Sequence, residues 1–463
     1  MLRPPILIGA CALTACTAPP DELAVPLTVT GTDRFVTAAG IEPVPRDLSQ
    51  LRAYAFADGR PIELTAADGV VEPAGPGPIY VDSGDLWVVT DEATLDLGRV
   101  RLGRADAARP GEPVALAVDL AGLAPWQEAD QLQLYAQDVE AWLLTGVPGI
   151  EAGATELSVA IDYSGPLVDA GRGDQLWLAQ LTSRTIGDDV YSAVDRATVR
   201  ADADFTAAEP AIAGELEPAP QRSFEVDWRI TRFDDARLQV QPVIASSWYD
   251  ANISSLVAAA DHGFYGISAD QLTMRVTDQT GRDVSGQFDY GAPFPDDWDS
   301  MATFIAWYPV SVRAEPDDLP LILFDTIWIR DLTERLDGAR LEPRITAPRA
   351  LSVGGRDARE PQRGVGRTPV IAWQPPALGS ATGYRVTVVS LATGFGVTRE
   401  LARAEIATAL TSIRIPPGAV DPAAAAFAVQ VTAVAGPADL ARAPHRLSLP
   451  HAVASLTSAA LAP

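Results

Sequence analysis

Cysteine is confined to Cys11 and Cys16. The rest of the chain can therefore close no disulfide, and it offers no thiolate nucleophile, no Cys-ligated zinc site and no iron–sulfur cluster. Lysine is absent, so all 35 basic residues are Arg, against 61 Asp and Glu and a formal charge of −26. Binding a phosphate backbone needs a basic face, so nucleic acid is excluded as an expected partner, and the acidic balance serves mainly solubility. Histidine is limited to His262, His445 and His451, and Asn252 is the single Asn. With no Gly-x-Ser-x-Gly elbow and no His-Glu-x-x-His segment, the commonest hydrolase signals are missing. No EF-hand loop is present either. No catalytic residue, cofactor or metal is expected.

What is there begins with Arg3, an apolar stretch from Ile6 to about Ala15, and Cys16. The layout is that of a secretory signal peptide, and the stretch is well short of the roughly 20 apolar residues a spanning helix needs. Leu13-Thr14-Ala15-Cys16 resembles the bacterial lipobox. The resemblance implies a signal peptide over 1–15, a lipid on Cys16 as the first mature residue, a tether over 16–23, and a membrane as partner through that lipid. Thr17 is not the Asp that, in the Gram-negative family rule, retains lipoproteins at the inner membrane. That favours a cell-envelope, outer-membrane address.

After residue 24 the chain runs in short alternating apolar segments broken by Gly, Pro and Asp, such as Leu132-Gln133-Leu134-Tyr135 and Leu272-Thr273-Met274-Arg275-Val276. No sustained period of 3.6 residues reaches helix length. The expected fold class is all-β, with several consecutive β-sandwich domains. A chain of 463 residues needs several cores. The units expected are 24–108, 109–210, 222–345 and 347–450, followed by a tail over 451–463. The units 109–210 and 222–345 are also compatible with one larger two-sheet domain. Residues 206–221, rich in Ala, Glu and Pro, give the best boundary signal. A short echo links Ser83-Gly84-Asp85-Leu86-Trp87 with Gly173-Asp174-Gln175-Leu176-Trp177, each a Gly-Asp turn feeding a strand with an inward Trp.

Ala67-Asp68-Gly69-Val70-Val71 followed by Gly75-Pro76-Gly77-Pro78-Ile79-Tyr80-Val81 weakly resembles the transthyretin-like sandwich of carboxypeptidase regulatory domains. The last unit resembles fibronectin type III. Val370-Ile371-Ala372-Trp373 matches its second strand, Gly383-Tyr384-Arg385-Val386-Thr387-Val388 its third, and Phe427-Ala428-Val429-Gln430-Val431 the strand after the tyrosine corner. Phe427 stands where that family commonly has Tyr, so the corner's hydrogen bond is lost.

Asp261-His262-Gly263 is a loop signal, and the pairs Asp188-Asp189, Asp296-Asp297 and Asp317-Asp318 read as solvated turns. Arg200-Ala201-Asp202-Ala203-Asp204 supplies only two acidic ligands in line, and Arg172-Gly173-Asp174 spells an adhesion tripeptide by chance. The aromatic cluster of Phe294 and Trp298 with Trp248-Tyr249 and Trp307-Tyr308 is the candidate binding feature, and Trp248, Tyr249, Phe294 and Trp298 are its candidate site residues, because Trp and Tyr beside carboxylates can stack on a sugar or anchor a protein. The expectation is a non-enzymatic binding or scaffold protein at the envelope, whose partner is an envelope protein or glycan. The alternative is a carbohydrate-binding protein or glycoside-acting enzyme with its site on loops of 222–345.

Overall fold

The fold is that of a computed structural model describing residues 25–147, 149–241, 247–263, 267–277 and 282–463. Cys16, the signal segment and the tether lie outside the described residues. About 52% of the chain is strand and about 5% helix, and the molecule is an all-β, multi-domain protein. The alternation of the sequence is the cause. Along Leu321–Leu332, Leu323, Ile327 and Ile329 are buried while Phe324, Thr326 and Trp328 between them keep part of their surface, as the pleat requires.

A 17-stranded sheet runs through the molecule. Apart from the two-residue strand Glu217–Pro218, its members form a single file. In chain order they are β1 (Arg52–Ala57), β2 (Arg60–Leu64), β3 (Ile79–Asp82), β4 (Trp87–Thr90), β5 (Gln131–Ala136), β6 (Ala141–Thr145), β7 (Leu176–Ile186) and β8 (Asp189–Arg200). There follow β9 (Trp248–Leu256), β10 (Ala269–Thr277), β11 (Asp299–Val312), β12 (Leu321–Leu332), β13 (Gly383–Gly394), β14 (Val397–Thr408), β15 (Ala426–Ala435) and β16 (His451–Thr457). Their spatial order is β6-β5-β7-β8-β10-β9-β11-β12-β16-β15-β13-β14-β4-β3-β1-β2. Neighbours are antiparallel except β14 and β4, which pair in parallel with Ile406 opposite Trp87.

Small sheets cover this ribbon and complete immunoglobulin-like sandwiches. Leu157–Tyr163, Val114–Ala121 and Ala211–Glu215 form one, and Leu116, Val118 and Leu120 from it share a core with Leu132, Leu134 and Leu178 of the ribbon. Val284–Gly291, Gln221–Trp228 and Arg340–Leu341 form the next. A third, built on Arg349–Val353, Val370–Gln374 and Ser412–Arg414, lies in the same apolar cluster, which includes Trp228, Phe288, Trp373 and Phe427. The N-terminal unit shares its core with the last one, since Leu27, Val81 and Val88 pack with Ala407, Val434 and Val453.

Four expectations change. Residues 451–463 are not a tail: His451–Thr457 is buried along its length and sits between β12 and β15. Its small side chains hide the alternation that a strand usually shows. Residues 206–221 contain Ala211–Glu215, which pairs with Val114–Ala121 and buries Ile212 beside Leu216. Trp87 is inward but Trp177 is not, because its neighbours Leu176 and Leu178 take the core side. A nine-residue helix, α1 (Ile230–Leu238), buries Ile230, Phe233, Ala236 and Arg237. The i, i+3, i+7 spacing that does this is present in the sequence but spans only two turns. Asp283 accepts from the backbone N–H of Thr231 at 3.1 Å and so supplies the N-terminal cap that Arg229 lacks.

Candidate binding groove

The outward residues of β9, β11 and β12 put Trp248, Trp307 and Phe324 side by side. The register brings Trp248 opposite Trp307. Their rings stack with centroids 6.3 Å apart, and Phe324 meets Trp248 edge-on at 4.8 Å. Trp307 Nε1 donates to Asp250 Oδ2 at 2.8 Å, and Asp250 also accepts from Arg275 at 2.7 Å. The indole is thereby fixed by its polar edge while part of its face stays in solvent.

Next along β12, Trp328 lies between the guanidinium of Arg330, 4.6 Å from its ring centre, and the imidazole of His451 at 5.0 Å. Burial lowers the pKa of Arg330 to about 10, and its Nε donates to Thr303 Oγ1 at 2.8 Å. Across the junction with the last unit, Gln430 Nε2 donates to the carbonyl of Phe324 at 2.8 Å and to Thr457 Oγ1 at 2.9 Å. Arg403 pairs with Glu400 at 2.9 Å on the far wall. Together these walls enclose an open groove of about 590 Å³, lined by Trp307, Phe324, Trp328, Arg330, Arg403 and Gln430 among others.

The four residues singled out in the sequence separate. Trp248 backs the groove. Tyr249, its neighbour, points into the core, where its hydroxyl donates to Asp234 at 2.6 Å and meets Ser247 at 2.8 Å. Phe294 and Trp298 form a second patch at the junction with the preceding unit, stacked at 5.6 Å with their planes 4° apart. Trp177 and Tyr135 pack against them and bury Phe294. Trp307 belongs to the aromatic cluster that the sequence offered, whereas Phe324 and Trp328 were not singled out as binding residues. Their signal is a run of aromatics at every second outward position, which is indistinguishable in sequence from core alternation until the face is known.

The other sequence candidates are tied down. Asp296 pairs with Arg222 at 3.1 Å, Asp189 with Arg282, and Asp318 accepts from Thr398 Oγ1 at 3.3 Å. Asp202 pairs with Arg200 at 2.6 Å. In the adhesion-like tripeptide, Asp174 is buried against Arg104 at 3.0 Å and Arg172 is paired with Asp106, so the motif is not presented. His262 closes a four-residue helix, and burial lowers its pKa. Among the described residues no group of three or more His, Cys, Asp or Glu gathers as a metal would require.

Asp270 was also not anticipated. It lies near the start of β10, next to Ala269, which packs with Tyr135 and Phe294, and accepts from Asn252 Nδ2 at 2.6 Å. Gln133 clamps its backbone, accepting its N–H at 2.8 Å and donating to its carbonyl at 3.0 Å. Burial pushes its pKa up to about 6, partly opposed by the Asn252 bond. Between the unfolded value near 3.8 and about 6, the folded state holds a proton that the unfolded state has released, so stability falls as pH rises through that window. Asp270→Asn removes this loss and keeps an acceptor for Asn252. It is expected to stabilise the fold at pH 7 by about 1–2 kcal/mol. Urea denaturation at pH 7 and pH 4 checks this, and equal effects at the two pH values would refute it.

The fold and groove define a multi-domain protein of immunoglobulin-like β-sandwiches. No family model matches the chain, and no curated protein matches it. Among solved structures it is similar to the Escherichia coli alpha-2-macroglobulin activated by porcine elastase. The identity is 10% over 95% of this chain and 43% of that chain, with a TM-score of 0.14. The chain thus spans less than half the length of that neighbour, and a likeness at this score carries no argument.

Proposed function

We propose that this chain is an exported, lipid-anchored, non-enzymatic binding or scaffold protein of the cell envelope, with an outer-membrane address. The observation that carries the binding part is the groove on β11 and β12. Aromatic rings stand half-exposed there on a sheet that continues into every other unit, so an occupant would meet a rigid platform. The anchor rests on Leu13-Thr14-Ala15-Cys16. Among the described residues no helix is long and apolar enough to cross a membrane. The sheet of Arg349–Val353, Val370–Gln374 and Ser412–Arg414 facing β14, β13, β15 and β16 supports the fibronectin type III reading of the last unit.

Glycoside hydrolysis asks for two carboxyl groups about 5–10 Å apart around a sugar, one of them protonated near neutrality. At the groove, Asp250 is committed to Arg275 and Trp307, and Glu400 to Arg403. That favours retention of a ligand over its cleavage. The anchor is tested by mass spectrometry of the protein isolated from its native membrane, wild type against Cys16→Ala. The expected result is a mature chain starting at an acylated Cys16 and an unprocessed or released variant. A wild-type chain starting elsewhere without lipid would refute the tether.

A further inference from the structure

The hairpin joining β13 to β14 turns through Phe395 and Gly396, with φ of 55° and 71°. Positive φ at both central residues is the hairpin turn that Asn-Gly and Asp-Gly favour, because a short polar side chain or none tolerates the left-handed region. A bulky aromatic there is a conformational outlier. Burial does not compensate, since Phe395 is fully exposed. Strain held at a position that gains nothing from packing points to a role outside the fold.

The tip is not a lone apolar residue. Leu319, 65% exposed, bridges to Val397 in parallel, with Leu319 N–H bonded to the carbonyl of Gly396 at 2.8 Å and Thr398 N–H to that of Leu319 at 2.9 Å. Val397 and Ile322 behind them are also exposed. Arg313 and Arg399 flank the tip: Arg313 Nε donates to the carbonyl of Asp318, and the Arg399 guanidinium lies over Gly394.

We propose that this hairpin tip is a membrane finger that places Phe395, Leu319 and Val397 in the interfacial layer of a zwitterionic phospholipid bilayer, a role that rests on the membrane-tethered reading. Three side chains on a convex turn present a few hundred Å² at most, against roughly 800 Å² per partner in a stable protein pair. The same area suffices for interfacial insertion beside a lipid anchor. Arg313 and Arg399 share the tip with Glu315, Asp317 and Asp318 of the Leu319 loop, and the charge of −26 argues against an anionic surface.

The geometry also sets the pose. Val25 and Leu410 line one groove, at the end of β14 opposite the finger. Strand β14 spans roughly 36 Å at about 3.3 Å per residue. Residues 17–24 reach at most about 28 Å when extended. Lipid and finger can therefore engage one bilayer only if β14 is tilted well away from the bilayer normal.

The test uses the protein purified from its native membrane, reconstituted into phosphatidylcholine vesicles, with an environment-sensitive label at Phe395→Cys or at Val190→Cys, which is exposed on another hairpin. The expected result is several-fold quenching at 395 by nitroxide lipids and none at 190. Chains that float with the vesicles yet leave 395 unquenched overturn the finger and leave the tether standing. Chains whose mass shows no lipid, but which float as wild type and not as Phe395→Asn, support the finger while the tether fails. No flotation of either chain overturns both. Phe395→Asn is further expected to raise the melting temperature slightly, because it suits the turn. A fall would show that Phe395 serves the fold and overturn the proposal.

Discussion

Asp325→Ala is expected to destabilise the protein by about 3–5 kcal/mol. Asp325 is 1% exposed, and its carboxylate lies 2.6 Å from the guanidinium of Arg237, itself 3% exposed. Thr457 Oγ1 and Gln430 Nε2 also donate to it, at 2.6 and 3.1 Å. Removing the acid leaves a buried cation without its counter-ion and two donors without an acceptor, which costs more than the pair contributes net. The double replacement Arg237→Met with Asp325→Leu is expected to recover most of that loss, since neither desolvation penalty remains. Urea unfolding of the two variants decides the matter. A loss under 1 kcal/mol for Asp325→Ala would mean that water or another side chain reaches Arg237.

The location of this pair gives the effect a second consequence. Arg237 belongs to α1, Asp325 to β12, Thr457 to β16 and Gln430 to β15, so one carboxylate ties the helix of the third unit to two strands of the fourth. Loosening it is expected to speed proteolysis at this junction before the remoter cores of the molecule open.

The second large effect is acid loss of stability. Burial pushes His451 down to about 3, helped by Arg330 and Arg385, and His445 likewise, helped by Arg99, Arg46 and Arg385. Both imidazoles are neutral in the fold at pH 7. Below the unfolded value near 6.5 the unfolded chain binds protons that the folded chain refuses, so stability is fully present above about 6.5 and declines as pH falls toward 3. His451, 4% exposed, supplies the larger share, with a slope of about 1.4 kcal/mol per pH unit. His445 is half-buried and contributes less. The proton retained by Asp270 offsets part of the decline between about 6 and 3.8. His451→Phe, which keeps a ring against Trp328, is expected to flatten the curve between pH 6 and 4. Unchanged slopes in equilibrium unfolding at those pH values would show that His451 finds solvent or a proton acceptor in the fold.

The all-β class was legible because alternation is a local property. Leu272, Met274 and Val276 are inward on β10 as their spacing demands, and the same holds for Val386 and Val388 on β13. His451–Thr457 was not legible. Ala, Ser and Val on both faces give a strand buried on both sides no polar alternation to show. The candidate site was half legible. Trp248 and Trp298 were singled out by type, yet whether a Trp on a strand faces solvent or core depends on which side the covering sheet packs.

The sequence by itself determined the secondary-structure class, the absence of thiol chemistry beyond residue 16 and the dominance of negative charge, because each follows from composition and from periods of two residues. Tertiary structure alone decided that the sandwiches share one sheet, that Trp307 and Trp328 border a groove while Tyr249 is buried, and that Asp325 meets Arg237. Strand order, face and ion pairing join residues far apart in the chain, and no local pattern encodes which partner the remaining surface will meet.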